Sequence, residues 1–398
     1  MPITRPGLQF NEDGVCSACE WHEEKKTINF DERVEQLQEI ADWARKNSSG
    51  PWHCVVGVSG GKDSIWQAHM IRDRFGLNPL LVQYVASDGT ELGRKNAESL
   101  VCNGFTLHSM QPNPKVARRL AKKSFIEFGN LDKYSEFSLY TSPFRAAIDF
   151  EIPLVLLGEN PALEAGDKNT AMPGWDASGI RFNNTLGGAV VDTWLGDGIE
   201  RRDLIPYTFP SQKELEYWGG RGVFMGYFLD WSGWDNAVFA INHGMQTIDT
   251  NYDDIGIHYL HNSLDSNNGA MVNSMLKHIK LGFGNASEFS AYDVRSGRLT
   301  RTEAAALLKR LDGKCHPRYV EDFCNWIGVT VFDFWEVADN YRGEMWHKNR
   351  NGEWKILNPI WEQEDVSSID TDAVIKRVDT INQADTLSGN RFCLQNVE

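Results

Sequence analysis

The run Val58-Ser59-Gly60-Gly61-Lys62-Asp63-Ser64 follows directly on the apolar stretch Cys54-Val55-Val56-Gly57, so a strand feeds a short turn rich in glycine and hydroxyls. That turn suits an anion. Gly60 and Gly61 let the backbone approach a phosphate closely and take positive φ, and a helix starting there offers unpaired N–H groups and roughly half a positive charge. Ser59 and Ser64 add hydroxyl donors. Ala68, Ile71 and Phe75 recur at i, i+3 and i+7, the apolar stripe of a helix lying on a sheet. The simpler reading of Ser-Gly-Gly is a tight strand-to-helix turn with no ligand.

The run is not a Walker A loop, which needs four residues between its first glycine and Gly-Lys and then Ser or Thr. Three residues separate Gly57 from Gly61, and Asp63 follows Lys62. It resembles instead the pyrophosphate loop (PP-loop) of the ATP pyrophosphatases, adenylating enzymes that include GMP synthetase, NAD synthetase and asparagine synthetase. The resemblance implies release of pyrophosphate and transfer of AMP to a substrate oxygen.

The elements that must carry this loop read as α/β. Pro79 to Val85 is a second apolar run, Gly104 to Met110 a third and Ile152 to Leu157 a fourth. Ala117, Leu120, Ala121, Phe125 and Phe128 mark a helix between the last two. This alternation predicts a doubly wound parallel sheet, with ligands beyond the carboxyl ends of the strands. Gly158-Glu159-Asn160-Pro161 then joins Ser59 at that edge. Residues 165–260 are rich in Gly, Trp, Asn and Asp without long periods, and read as substrate loops and short helices. From Met271 to Tyr341 the pattern is helical, with a capping box at Thr300–Glu303. The expected division is an N-terminal segment 1–50, an ATP-binding α/β domain 51–260, a helical region 261–360 and a peripheral acidic tail 361–398.

With 398 residues and 41% hydrophobic residues the chain has ample material for a buried core. No apolar run approaches the roughly 18 residues of a membrane span, and no basic-then-apolar leader opens the sequence, so a cytoplasmic location without membrane insertion is expected. Seven cysteines at irregular spacing suit a reducing compartment, with Cys54, Cys102 and Cys393 as buried or incidental thiols and Cys102 read as a packing cysteine. A net charge of −15 disfavours nucleic acid as a partner.

Beyond the loop, the chain resembles the N-acetyl sugar amidotransferases of bacterial surface-polysaccharide synthesis, the group typified by the O-antigen and flagellin-sugar amidotransferases. Met1-Pro2-Ile3-Thr4-Arg5-Pro6-Gly7, Gly14-Val15-Cys16-Ser17-Ala18-Cys19, Gly93-Arg94-Lys95-Asn96 and Pro112-Asn113-Pro114-Lys115 carry part of the resemblance. Its most specific stretch is Leu276-Lys277-His278-Ile279-Lys280-Leu281-Gly282-Phe283-Gly284, continuing through Asp293-Val294-Arg295-Ser296-Gly297-Arg298-Leu299-Thr300-Arg301.

The resemblance implies an enzyme that converts a sugar acetamido group into an acetamidino group, using ATP, Mg2+ and ammonia. An amide oxygen is a poor leaving group, and AMP transfer makes it a good one. For this chemistry Ser59, Gly60, Gly61 and Ser64 are assigned to the pyrophosphate and Lys62 to its charge. Asp63 and Glu159 are candidate magnesium ligands, since that ion takes hard oxygen donors. Gly158 and Asn160 complete the expected nucleotide edge. Arg94, Asn96, Lys115, Arg145 and Lys280 are second-rank candidates for nucleotide or sugar phosphates. The implied partners are a nucleotide-activated N-acetyl sugar and separate glutaminase and cyclase-like subunits that deliver ammonia.

Cys16-x-x-Cys19 is half of a zinc knuckle, which needs four ligands. Family members often carry a second such pair upstream of the Met-Pro-x-Thr-Arg-Pro segment. Either such a pair, or His22, Cys315, His316 or Cys324, completes a Zn2+ site, or no zinc binds. Two other functions stay open on the sequence: a PP-loop enzyme that thiolates tRNA, and a non-catalytic nucleotide-binding regulator.

Overall fold

The computed structural model describes residues 2–166, 174–183, 185–262, 264–266 and 271–380. Met1, Cys393 and the tail beyond residue 380 lie outside the described residues. The chain divides into two compact units, one formed by Pro6–Leu120 and Lys133–Gln246, the other by the described N-terminal residues through Arg5, Ala121–Asp132 and residues 247–380.

In the first unit, strands β1 (Cys54–Val58), β2 (Pro79–Tyr84), β3 (Thr106–Met110), β4 (Leu154–Leu157) and β5 (Arg221–Phe224) form one sheet in the order β3-β2-β1-β4-β5. Every pairing is parallel, with Val55 opposite Leu80 on one side and Val155 on the other. The chain steps from β1 outward to β3, then crosses over and steps the other way through β4 and β5. The direction reverses between β1 and β4, the kind of switch point at whose carboxyl edge ligands bind in such sheets. β1, β2 and β4 have inward residues on both faces and read as continuous apolar runs, as expected of strands covered by helices on both sides. Val55, Leu80, Val82, Val155 and Phe224 pack there with Phe144 and Ala147 of the helix Lys133–Asp149. Each buried Val, Leu or Phe side chain among these contributes about 1.5–3 kcal/mol.

Three expected strands and the helix Pro114–Phe128 are present, the strands trimmed by up to two residues. Two elements differ from expectation. The helix Lys133–Asp149 carries Pro143 in its interior, which masks it in the sequence. It lies so close to β1 that a Cβ on Gly57 would sit 2.9 Å from Pro143 Cγ. Strand β5 falls in the stretch read as loops. It has four residues, and a Cβ on Gly222 would sit 2.8 Å from the Phe144 ring. Cys102, expected to pack, is exposed at the end of the helix Glu91–Cys102.

The second unit is mostly helical. It includes Asn273–Leu281, Asn285–Arg295, Arg301–Leu311, Pro317–Ile327 and Val331–Asn340, with a small antiparallel hairpin of β6 (Trp346–Lys348) and β7 (Trp354–Ile356). The capping box at Thr300 and Glu303 forms in both directions. Phe125, Phe323 and Phe334 meet in its core, Phe125 stacked on Phe334 at 4.9 Å. The tail expected to be peripheral instead supplies the helix Thr371–Val378, which buries Val374, Ile375 and Val378. Among the described residues no helix is long and apolar enough to cross a membrane.

Candidate functional site

β1 ends at Val58, the turn Ser59–Gly61 follows, and the helix Lys62–His69 begins at once. Gly60 has φ +85°, and a Cβ there would lie 2.8 Å from the Ala97 nitrogen and the Gly93 oxygen. Only glycine fits such a turn, pressed against another helix's backbone. Gly61 is the N-cap and no side chain caps the helix, so its first-turn amides receive no side-chain acceptor. Ser64 Oγ donates to the Gly61 carbonyl at 2.9 Å and fastens the turn, while Ser59 is half-buried beside it.

Lys62 and Asp63 form an ion pair, Nζ to Oδ2 at 2.5 Å. The other carboxylate oxygen, Oδ1, accepts a hydrogen bond at 2.9 Å from Nδ2 of Asn236. Asn236 is buried on the helix Gly233–Asn242, where Ser232 caps the first turn. Both oxygens of Asp63 are therefore engaged within the protein.

The parallel register sets the segment after β4 beside the one after β1, with neighbouring strands about 4.8 Å apart. A Cβ on Gly158 would lie 2.7 Å from Gln67 Nε2 and 2.8 Å from the Trp231 ring, and Gly158 accepts from the Gly226 amide at 3.0 Å. Trp231 meets Trp66 edge-on at 5.2 Å. Glu159 is exposed. Burial pushes the Tyr140 phenol up, and the Glu136 and Glu159 carboxylates push it in the same direction, so both charges bear on this tyrosine. Asn160 is buried and serves the backbone, accepting from Ala162 N at 3.0 Å and donating to Gly174 O at 2.8 Å.

Gln67 lies one turn beyond Asp63 on the same helix face. It is 4% exposed and its Oε1 is buried with no hydrogen-bond partner. An orphaned acceptor under Gly158 carries a cost that a ligand donor would remove.

The second-rank candidates are spread out. Arg94 pairs with Glu91 and Glu98 on its own exposed helix. Asn96 is fully buried and clamps Gln246, donating to its carbonyl at 3.0 Å and accepting from its amide at 2.8 Å. Arg145 donates to Thr208 O and pairs with Glu214, whose carboxyl it holds down at about 2. Lys115 is exposed. Lys280 belongs to the second unit, where it donates to Phe128 O at 2.6 Å and burial pushes its pKa down.

Cys16 is buried and Cys19 half-buried at the start of the helix Ser17–Lys25. Burial raises the Cys16 thiol, but hydrogen bonds involving Cys19 outweigh it and the net direction is down. Among the described residues no group of three or more His, Cys, Asp or Glu is arranged to hold a metal. Cys16 and Cys19 are two of the four ligands that a structural zinc needs.

Asn236, Gln67 and Trp231 escape the sequence reading. A one-residue polar position on a short helix leaves no periodic signal, and the contact with Asp63 spans 173 positions.

Residues 248–360 match the family model described as LPS biosynthesis protein WbpG-like, C-terminal domain, which supports a place in an LPS biosynthesis family. The uncharacterized protein MJ1599 of Methanocaldococcus jannaschii is 34% identical over 67 residues, 16% of this chain and 24% of that protein. The chain thus spans about a quarter of the length of that curated relative.

Proposed function

We propose that this protein is an ATP-dependent amidotransferase of surface-polysaccharide biosynthesis, which adenylates the oxygen of a sugar acetamido group and lets ammonia displace AMP. The observation that carries the reading is a glycine-only turn at the uncapped helix start, with Lys62 and Asp63 in the first turn, at the switch point of a parallel sheet. In the reaction the amide oxygen attacks the α-phosphorus and the bond to pyrophosphate breaks. Ammonia then adds to the imidate carbon, AMP leaves with the oxygen, and proton loss gives the amidine.

The chain's own residues act on the polyphosphate. The turn amides and Ser59 receive the leaving pyrophosphate, because N–H donors already oriented by the fold need no reorganisation as charge develops. Lys62 moves from Asp63 onto a phosphate oxygen, which uncovers Asp63 Oδ2. Asp63 and Glu159 would then hold magnesium, which taken together with phosphate oxygens supplies charge neutralisation. Asn236 keeps Asp63 in place through that exchange. Gln67 Oε1 accepts from a ligand N–H group. Nothing in the sequence supplies a glutaminase nucleophile, so ammonia is drawn from a separate glutaminase with a cyclase-like subunit, and the sugar arrives activated by a nucleotide. The site works in the cytoplasm, where such donors and ATP are available.

The test is incubation with ATP, magnesium, ammonium and nucleotide-activated diacetamido sugars, reading pyrophosphate release and replacement of oxygen by NH in the product mass. A tRNA-thiolating enzyme would instead bind tRNA strongly and lose it with added salt. A regulator would bind ATP without releasing pyrophosphate.

A further inference from the structure

The second unit contains a cavity of about 450 Å³, within the range of small-molecule sites. Its lining residues run from Asp253 to Trp335, so all of them fall within residues 248–360, the stretch that matches the LPS biosynthesis domain. The ATP loop lies in the other unit and takes no part in it.

The lining mixes two chemistries. Part of it is apolar: Met275, Pro317 and Val320 with Val331 and Trp335, which stand one turn apart on the helix Val331–Asn340. Trp335 is 40% exposed, and its ring is braced edge-on by the buried Phe334 at 5.3 Å. The rest is polar, and its charge is largely cancelled. Asp253 accepts from Arg310 at 2.7 Å and Lys314 at 2.8 Å, and Asp254 lies 3.8 Å from Arg318. His316 caps the helix Pro317–Ile327, its Nδ1 accepting the Arg318 amide at 3.2 Å. That bond leaves Nε2–H as a donor toward a ligand. Glu321, on the same helix, adds an acceptor.

A strongly charged ligand would have to break the Asp253 ion pairs. A wholly apolar one would cover His316 and Glu321 without matching them. The surface complementary to both chemistries is that of a neutral pyranose, with a face of C–H groups for the tryptophan and a rim of hydroxyls for His316, Asp254 and Glu321. We infer that this cavity is a binding site for a neutral glycosyl unit, separate from the ATP loop. The inference goes beyond the proposed reaction and does not rest on it.

The test is saturation-transfer NMR and calorimetric titration of the full chain with N-acetylglucosamine, with glucosamine and glucose 6-phosphate as the cationic and anionic counterparts. N-acetylglucosamine is expected to bind saturably and best of the three. Trp335→Ala should weaken it at least about tenfold, and Trp335→Phe, which keeps an aromatic face, should stay within about threefold. Val331→Asp gives an independent check: an acid is favoured at the first turn of that helix, so folding is preserved while a charge enters the apolar part of the lining. It should also weaken binding. Asp63→Ala should bind the sugar as the unaltered protein does. Absence of saturation, a preference for either charged sugar, unchanged binding in Trp335→Ala or Val331→Asp, or loss of binding in Asp63→Ala would each overturn the assignment. The last would move the sugar to the ATP loop.

Discussion

Asn236 Nδ2 donates to Asp63 Oδ1 at 2.9 Å while Lys62 Nζ sits 2.5 Å from Oδ2, so the carboxylate at the helix start is held from two sides by partners of different permanence. Lys62 has a flexible stem and leaves when a phosphate competes for it. Asn236 is buried and fixed on its own helix. Replacing it with alanine should leave the fold intact and slow pyrophosphate release about ten- to a hundredfold, the loss of one hydrogen bond to a charged group. Added magnesium should recover part of the rate, since metal binding substitutes for the missing restraint. Kinetics across a magnesium series checks this.

The loop is legible in the amino-acid sequence because its signal is local: an apolar run, two glycines, then a helical stripe. β2, β3 and β4 are legible for the same reason. Asn236 is not, since its contact depends on two distant helices meeting. β5 is hidden by its shortness and by Gly222, whose missing side chain makes room for Phe144. The helix Lys133–Asp149 is hidden by Pro143, an internal helix breaker that tertiary packing overrides. The acidic character of the tail hides the three buried residues of its helix, because charge on one helix face says nothing of the other.

Gly60→Ala should abolish the anion site at a stability cost of about 1–3 kcal/mol, as a residue with Cβ is strained at φ +85° and meets backbone atoms. Gly61→Ala is the control. Its φ is −84°, and an added Cβ meets only the Ser59 hydroxyl at 3.4 Å. Thermal melts with ATP binding separate the two variants, the first losing both and the second keeping its melting temperature.

Asp253 in the second unit is held down at about 2 by the Arg310 hydrogen bonds, with Lys314 assisting against partial burial. A carboxyl depressed in the folded state stabilises it in full above its unfolded value of about 4 and loses that contribution as pH falls through the folded value. Asp253→Asn should therefore melt lower than the unaltered protein at neutral pH. The two melting curves should converge as pH is lowered from about 4 to 2. A gap that persists at the acid end would mean the pair stabilises by packing and not by charge.

Among the described residues no group of three or more His, Cys, Asp or Glu is arranged to hold a metal at Cys16 and Cys19. Protein purified without chelator should carry well under one zinc per chain, and Cys16→Ser should leave proteolysis of the N-terminal segment unchanged. Elemental analysis beside limited proteolysis decides it.

The most direct measurement is pyrophosphate release by the purified chain given ATP, magnesium, ammonium and a nucleotide-activated diacetamido sugar, run in parallel with a correctly folded Asp63→Ala protein. The expected result is sugar-dependent release accompanied by exchange of one acetamido oxygen for NH, reduced at least about a hundredfold in the variant. No release under these conditions, or equal release by Asp63→Ala, would contradict the assignment of this loop to adenylation.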